Sequence, residues 1–187
     1  GYSRGVTSEL YDTSAPAGAE SRTPPQDMAA EQSVLGGMML SKDAIADVVE
    51  IVGGPDFYRP AHEIIYDAIV DLYGRGEPAD VVTISDHLTK RQELQRIGGP
   101  AYLHNLAQSV PTAANASFYA EIVRERAILR RLVEAGTKIV QLGHGADGEV
   151  DAIVNEAQSE IYNVAENRQS ADSVSYTHLT LPTKRIV

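Results

Sequence analysis

The sequence has 187 residues, 43% of them hydrophobic, no cysteine and a formal net charge of −10 at pH 7. That is apolar material for one ordinary domain with its own core, and the lack of cysteine excludes disulfides, thiolate metal sites and cysteine nucleophiles. Lysine occurs only at Lys42, Lys90, Lys138 and Lys184, which suits the chain poorly to gripping nucleic acid by its phosphates, where paired cations and counterion release supply the affinity.

Residues 1–25 are rich in Ser, Thr, Pro, Ala and Gly without a helical period and end in Pro24-Pro25, so a disordered leader is expected. Gly1, in place of an initiator Met, reads as a cloning or tag remnant. The first residues lack the apolar block of a secretory signal, and no apolar run approaches the ~18 residues that span a bilayer. A soluble, cytoplasmic protein is therefore expected.

A first helix is predicted from Asp27 to Leu40, with Met28, Gln32, Leu35 and Met39 at helical spacing. Ser41 is placed to cap a short second helix carrying Ile45, Val48, Val49 and Val52, stopped by Gly53-Gly54-Pro55. Pro60 suits the first turn of a third helix, with Ile64, Ile65, Ala68, Ile69 and Leu72 inward and Gly74 at its end. Thr83, with Asp86 three residues on, resembles a capping box for Ile84–Lys90. Gly98-Gly99-Pro100 starts a helix that turns Leu103, Leu106 and Val110 inward.

From Asn115 the character changes. Asn115 or Ser117 can cap a helix that continues to Leu142, about 40 Å long at 1.5 Å per residue. The run Gly143–Gly148 makes a turn, and a second helix is expected from Glu149 to Asn167. Two helices joined by so short a loop lie antiparallel. The second carries a narrow stripe of Val150, Ile153, Val154, Ala157, Ile161 and Val164. The first is apolar over a wider arc. One row, Ile122, Leu129, Val133, Gly136 and Val140, is assigned to packing inside the hairpin against Ile153, Ala157 and Ile161. The other row, Ile128, Leu132, Ala135 and Ile139, must be covered by the chain's own globular part or by a second copy. At about 25 cal/mol per Å² of apolar surface, leaving it in water is costly. The protruding length of the pair favours self-association.

Arg124, Arg126, Arg130 and Arg131 cluster early on the long helix. They can be a solvated face, can fix register by lying beside Glu160 and Glu166, or can dock an acidic partner. Read as a phosphate-contacting stripe, they support the alternative of a stand-alone DNA-binding domain.

No catalytic, cofactor-binding or metal-binding residues are predicted. No G-x-x-x-x-G-K-[ST] loop is present to cradle nucleotide phosphates, and Gly136-Thr137-Lys138 lies inside a helical stripe. His62-Glu63-Ile64-Ile65-Tyr66 begins like H-E-x-x-H, but Tyr66 replaces the second histidine, which leaves a metal-dependent hydrolase using His62 and Glu63 as the weakest of the readings.

Three irregular strings carry a family resemblance: Ala30-Glu31-Gln32-Ser33-Val34-Leu35-Gly36-Gly37; Asp56-Phe57-Tyr58-Arg59-Pro60-Ala61-His62-Glu63 onward through Gly74-Arg75-Gly76-Glu77-Pro78; and Gly98-Gly99-Pro100-Ala101-Tyr102-Leu103 with Val110-Pro111-Thr112-Ala113-Ala114-Asn115 and Tyr119–Arg126. With these, residues 27–167 resemble the N-terminal domain of DnaB-type replicative DNA helicases. The resemblance implies an all-α fold: a small globular helical bundle (26–112) followed by a long antiparallel helical hairpin (113–168). It further implies hairpins that pair between subunits, a trimer of dimers forming a collar on a hexameric ring, and docking of primase and of a helicase loader. It places ATP, magnesium and the main DNA contacts in a C-terminal motor. Residues 169–187 are expected to hold the start of a linker and then, from Ser173, a Thr-rich, Pro-broken tail that reads as vector-derived.

Overall fold

The structure, a computed structural model, describes residues 22–164. All regular structure among them is helical, and none of these helices is long and apolar enough to cross a membrane. Most of the expected leader, Glu166, Asn167 and the whole of the 169–187 segment lie outside the described residues.

Helix α1 (Met28–Leu40) is capped by Asp27, whose side chain accepts a hydrogen bond from the Ala30 amide. Its buried residues are Ala30, Glu31, Val34, Leu35, Gly36, Gly37 and Met38, so of the stripe expected at Met28, Gln32, Leu35 and Met39 only Leu35 is fully buried. The reason is its central place. α1 packs on four other helices, so most of its circumference is covered and a one-sided period is not required. Gly36 and Gly37 make that possible: a Cβ on Gly36 would lie 2.3 Å from the Leu106 carbonyl oxygen, and one on Gly37 3.1 Å from the Ala116 Cβ.

Ser41 caps α2 (Lys42–Val49), its Oγ accepting from the Asp43 amide, and Ala44, Ile45 and Val48 turn inward. A 3-10 turn (Gly54–Asp56) follows, closed by the Gly53 amide donating to Asp56 Oδ2 at 2.8 Å. Pro60 opens α3 (Pro60–Gly74), which buries Ile65, Ala68, Ile69 and Leu72 as expected, and also His62 and Tyr66. The Tyr66 hydroxyl donates to the Val52 carbonyl at 2.6 Å. Burial, with Asp56 and Asp67 nearby, pushes this hydroxyl up to about 12.

The expected start of the next helix is corrected. α4 (Val81–Lys90) begins earlier, capped by Asp80, whose carboxylate accepts from the Thr83 amide while Thr83 Oγ1 accepts from the Asp80 amide. Thr83 is thus the third residue of the box and not its first; the Asp80 side chain, one turn upstream, won the competition for the free amides. Helix α5 (Gly99–Gln108) buries Leu103 and Leu106, and left-handed Gly98 and Gly99 turn the chain into it.

Helix α6 (Ala116–Gly145) has 30 residues, about 45 Å at 1.5 Å per residue. It runs through Gly143 to Gly145, beyond the expected stop at Leu142, and Ala146 takes the left-handed conformation that ends it. Asn115 holds the N-cap position without a side-chain cap bond. The first turns of α6 contribute Ala116, Ala120 and Val123 to the core of the bundle, so body and hairpin share this helix. A last helix, α7, is helical over 150–164 and folds back along α6.

Candidate functional site

Two features of this fold have functional potential: polar contacts that tie the body together and fasten the hairpin to it, and the faces the hairpin leaves to solvent.

A polar clasp starts at Glu31, which the helical period of α1 carries into the body. Its carboxylate accepts from the Tyr58 amide (2.9 Å), the Arg59 amide (3.4 Å) and His62 Nδ1 (2.8 Å). With Nδ1 donating, His62 Nε2 is left to accept from the Tyr102 hydroxyl at 2.5 Å. The Tyr102 oxygen accepts in turn from Arg59 Nη1 (2.9 Å) and Gln32 Nε2 (3.4 Å). Carboxylate, imidazole and hydroxyl stand in the order of a nucleophilic triad. Here, however, His62 and Glu31 are sealed in the core and the lone pairs of the hydroxyl are taken by donors. The arrangement ties α1, α3 and α5 together.

His62 has both ring nitrogens engaged by Glu31 and Tyr102, and no group of three or more His, Asp or Glu among the described residues is arranged to hold a metal ion.

The arginine cluster divides. Arg130 Nη1 donates to the Pro25 carbonyl at 2.8 Å and Nη2 to the Asp56 carbonyl at 2.6 Å, with the guanidinium 5.5 Å from the Tyr58 ring centre. Arg131 pairs with the Asp56 carboxylate. Burial lowers the Arg130 pKa from its usual range, opposed by the charges of Glu31 and Asp56. The expectation that these two arginines form a docking patch is therefore corrected: they point into the body because Asp56 and two carbonyls wait there for donors. Arg124 is engaged within the structure, and Arg126 borders an open hollow beside Thr23–Met28. The register pairing of the cluster with Glu160 does not form either. Glu160 pairs with Lys138 at 3.6 Å, because α7 over the described residues reaches back only to the second half of α6.

The two apolar rows of α6 are not covered as expected. Leu129, Val133 and Val140, expected to pack inside the hairpin, are exposed (Val133 55%, Val140 59%), and a Cβ on Gly136 would meet nothing within 4 Å. Ile122 is half-buried against the core of the body. In the row expected to self-associate, Ala135 is buried at 3%, Ile128 and Ile139 are half-buried, and Leu132 at the margin is exposed. The cause is the direction from which α7 approaches. Lys138, Gln141 and Leu142 face Ile153, Glu156 and Glu160 across a shallow groove, which places α7 over the side that carries Ala135. On α7, Ile153 and Ala157 are half-buried as expected, while Ile161 is exposed.

At 3.6 residues per turn, Leu129, Leu132, Val133, Gly136 and Val140 share a side of α6 facing away from Ala120, Val123 and Ala127, which are buried. Since α7 is antiparallel, its exposed Val150, Val154 and Ile161 fall on that same side of the pair. The hairpin is two-sided: a groove lined by Lys138, Glu156 and Glu160 on one side, and exposed apolar side chains from both helices on the other.

Sequence patterning did not single out Glu31, Asp56, Tyr58, Arg59 or Tyr102 as a network. The three strings that carry the family resemblance contain all five, so the signal was present in irregular segments rather than in periodic ones.

Comparison with known proteins agrees with this architecture. The family described as DnaB-like helicase N terminal domain matches residues 23–125. The chain is similar to the replicative DNA helicase DnaB of Leifsonia xyli subsp. xyli, 62% identical over 156 residues, covering 83% of this chain and 34% of that protein. It is 63% identical over 164 residues to the replicative DNA helicase DnaB of Mycobacterium leprae, covering 87% of this chain and 27% of that one. It thus spans about a third or less of the length of these relatives. Among solved structures, the crystal structure of the N-terminal domain of DnaB helicase from Mycobacterium tuberculosis is similar at a TM-score of 0.73 and 65% identity, covering 76% of this chain and 99% of that chain.

Proposed function

Because the chain belongs to the family of DnaB-like helicase N-terminal domains, we propose that it is the assembly module of a replicative DNA helicase. Copies pair through the apolar flank of the hairpin, and pairs assemble as a trimer into the collar of a hexameric ring. The longer protein unwinds duplex DNA at the replication fork in the cytoplasm, with ATP and magnesium held by a C-terminal motor. The collar docks primase, and a helicase loader engages the same assembly.

One observation carries the reading. Leu129, Leu132, Val133, Val140, Val150, Val154 and Ile161 are exposed on one flank of the hairpin. At about 25 cal/mol per Å², burying such a flank against a second copy is a strong drive to associate. The stand-alone DNA-binding alternative is left with two of its four arginines, since Arg130 and Arg131 serve Asp56, Pro25 and Tyr58.

The test is solution mass by light scattering on the wild-type chain and on Leu132→Glu with Val133→Glu. The wild type is expected as a dimer or larger, and the double variant as a monomer of unchanged helix content. A wild type that stays monomeric at high concentration overturns the reading. Added primase is expected to shift the mass of the wild-type assembly.

A further inference from the structure

Along α6, the residues facing the body change in kind. Ala116, Ala120, Val123 and Ala127 are small or branched apolar groups buried in it. One turn on, the body is met by charge instead, through Arg130 and Arg131. Arg130 binds two separate body segments at once, the carbonyl of Pro25 in the chain leading into α1 and the carbonyl of Asp56 in the 3-10 turn. Arg131 holds one carboxylate oxygen of Asp56, and the other accepts from the Gly53 amide that closes the turn. The ring of Tyr58 lies beneath the Arg130 guanidinium, and the Tyr58 amide is bound by Glu31, which links the cluster to the buried clasp.

Apolar contacts between small side chains set a distance but tolerate sliding. Charge-assisted hydrogen bonds from a planar guanidinium fix direction. We propose that Arg130 and Arg131, closed on Asp56, Pro25 and Tyr58, are a strap that sets the angle between hairpin and body, and that opening it lets the hairpin swing while both parts stay folded. The Arg131 and Asp56 side chains keep 26% and 13% of their surface in water, so the strap lies at the edge of the body. Its significance goes beyond self-association: a partner on the hairpin that favours one angle would move the bodies of the ring, and the reverse.

The lack of native cysteine makes the test clean. Spin labels on Glu77→Cys in the body and Asp147→Cys at the hairpin tip, both at exposed positions, report the interval by electron double resonance. Labelled chain is diluted in excess unlabelled chain, so only the intrachain pair is read. The wild-type background is expected to give one narrow distribution. Arg130→Met is expected at least to double its width, with helix content unchanged and faster hydrogen exchange at the Gly53 and Phe57 amides. An unchanged distribution overturns the proposal. Should Arg130→Met lose helix content, Asp56→Asn decides: it weakens the strap from the body side, and broadening supports the proposal while an unchanged width overturns it.

Discussion

The body and the hairpin are made from similar residues, yet they handle apolar surface in opposite ways. In the body, Val34, Leu35, Ile65, Ile69, Ile84, Leu103 and Leu106 are sealed by neighbours from the same chain. In the hairpin, Leu129, Leu132, Val133, Val140, Val150, Val154 and Ile161 are all at least 42% exposed. The body closes on itself because α1 lies at its centre and is covered from several directions. The hairpin has only two helices, and a pair can hide one face each. A complete domain and an incomplete one are therefore joined through a single helix, and substitutions should affect stability in the first and association in the second.

The largest loss is expected at the buried clasp. Glu31→Ala strands the Tyr58 and Arg59 amides and His62 Nδ1 without their acceptor. Removing one partner of a buried ionic or hydrogen-bonded set costs about 3–5 kcal/mol. Urea unfolding of the monomeric Leu132→Glu, Val133→Glu background measures it free of association. A loss below about 0.5 kcal/mol, the size of an ordinary surface change, would mean the clasp is not what closes the body.

Two glycines then sharpen the contrast, because the same substitution should have opposite signs in the two regions. At Gly36, an added Cβ would stand 2.3 Å from the Leu106 carbonyl oxygen, so Gly36→Ala must push α5 away and is expected to cost about 1–3 kcal/mol. At Gly136, an added Cβ meets nothing, so Gly136→Ala is expected to stabilise the monomer by about 1 kcal/mol through helix propensity alone. Thermal unfolding of both in the monomeric background gives the signs. Equal signs would erase the distinction between a closed region and an open one.

The helix order could be read from local signals, since caps such as Ser41, first-turn prolines such as Pro60 and stripes such as Ile65–Ala68–Ile69–Leu72 are local. α1 resisted because a helix covered on several sides needs no stripe. The hairpin's two rows were recognised, but α7 covers the side of Ala135 and not that of Val133. Both rows are equally apolar, and which one faces α7 depends on the path of a turn that begins at left-handed Ala146, which no period encodes. The arginines failed for a similar reason: Arg130 and Asp56 are separated by 74 residues and meet only once the bundle has formed.

The smallest effect tests whether electrostatics at the far edge of the body stays local. Asp67 sits where a Cβ on Gly54 would lie 2.6 Å from its Oδ1, beside the groove between α3 and α4 that also holds Asp71, His87, Arg91 and Glu93. Burial raises its pKa above the ordinary 3.8, the charge of Glu93 raises it further, and Arg91 opposes them. A carboxyl raised on folding binds its proton more tightly in the folded chain than in the unfolded one. Its stabilising contribution is complete below 3.8 and is lost as pH rises through the folded value. Asp67→Asn removes the ionisation, so it is expected to stabilise the chain slightly at pH 7, by no more than about 0.5 kcal/mol for so exposed a group. The gain should shrink to nothing as pH falls below 3.8, where the wild-type carboxyl is protonated in both states. Paired urea titrations across that range read the difference directly. A gain that persists undiminished in acid would mean that shape in the α3–α4 groove, and not charge, sets the contribution of Asp67.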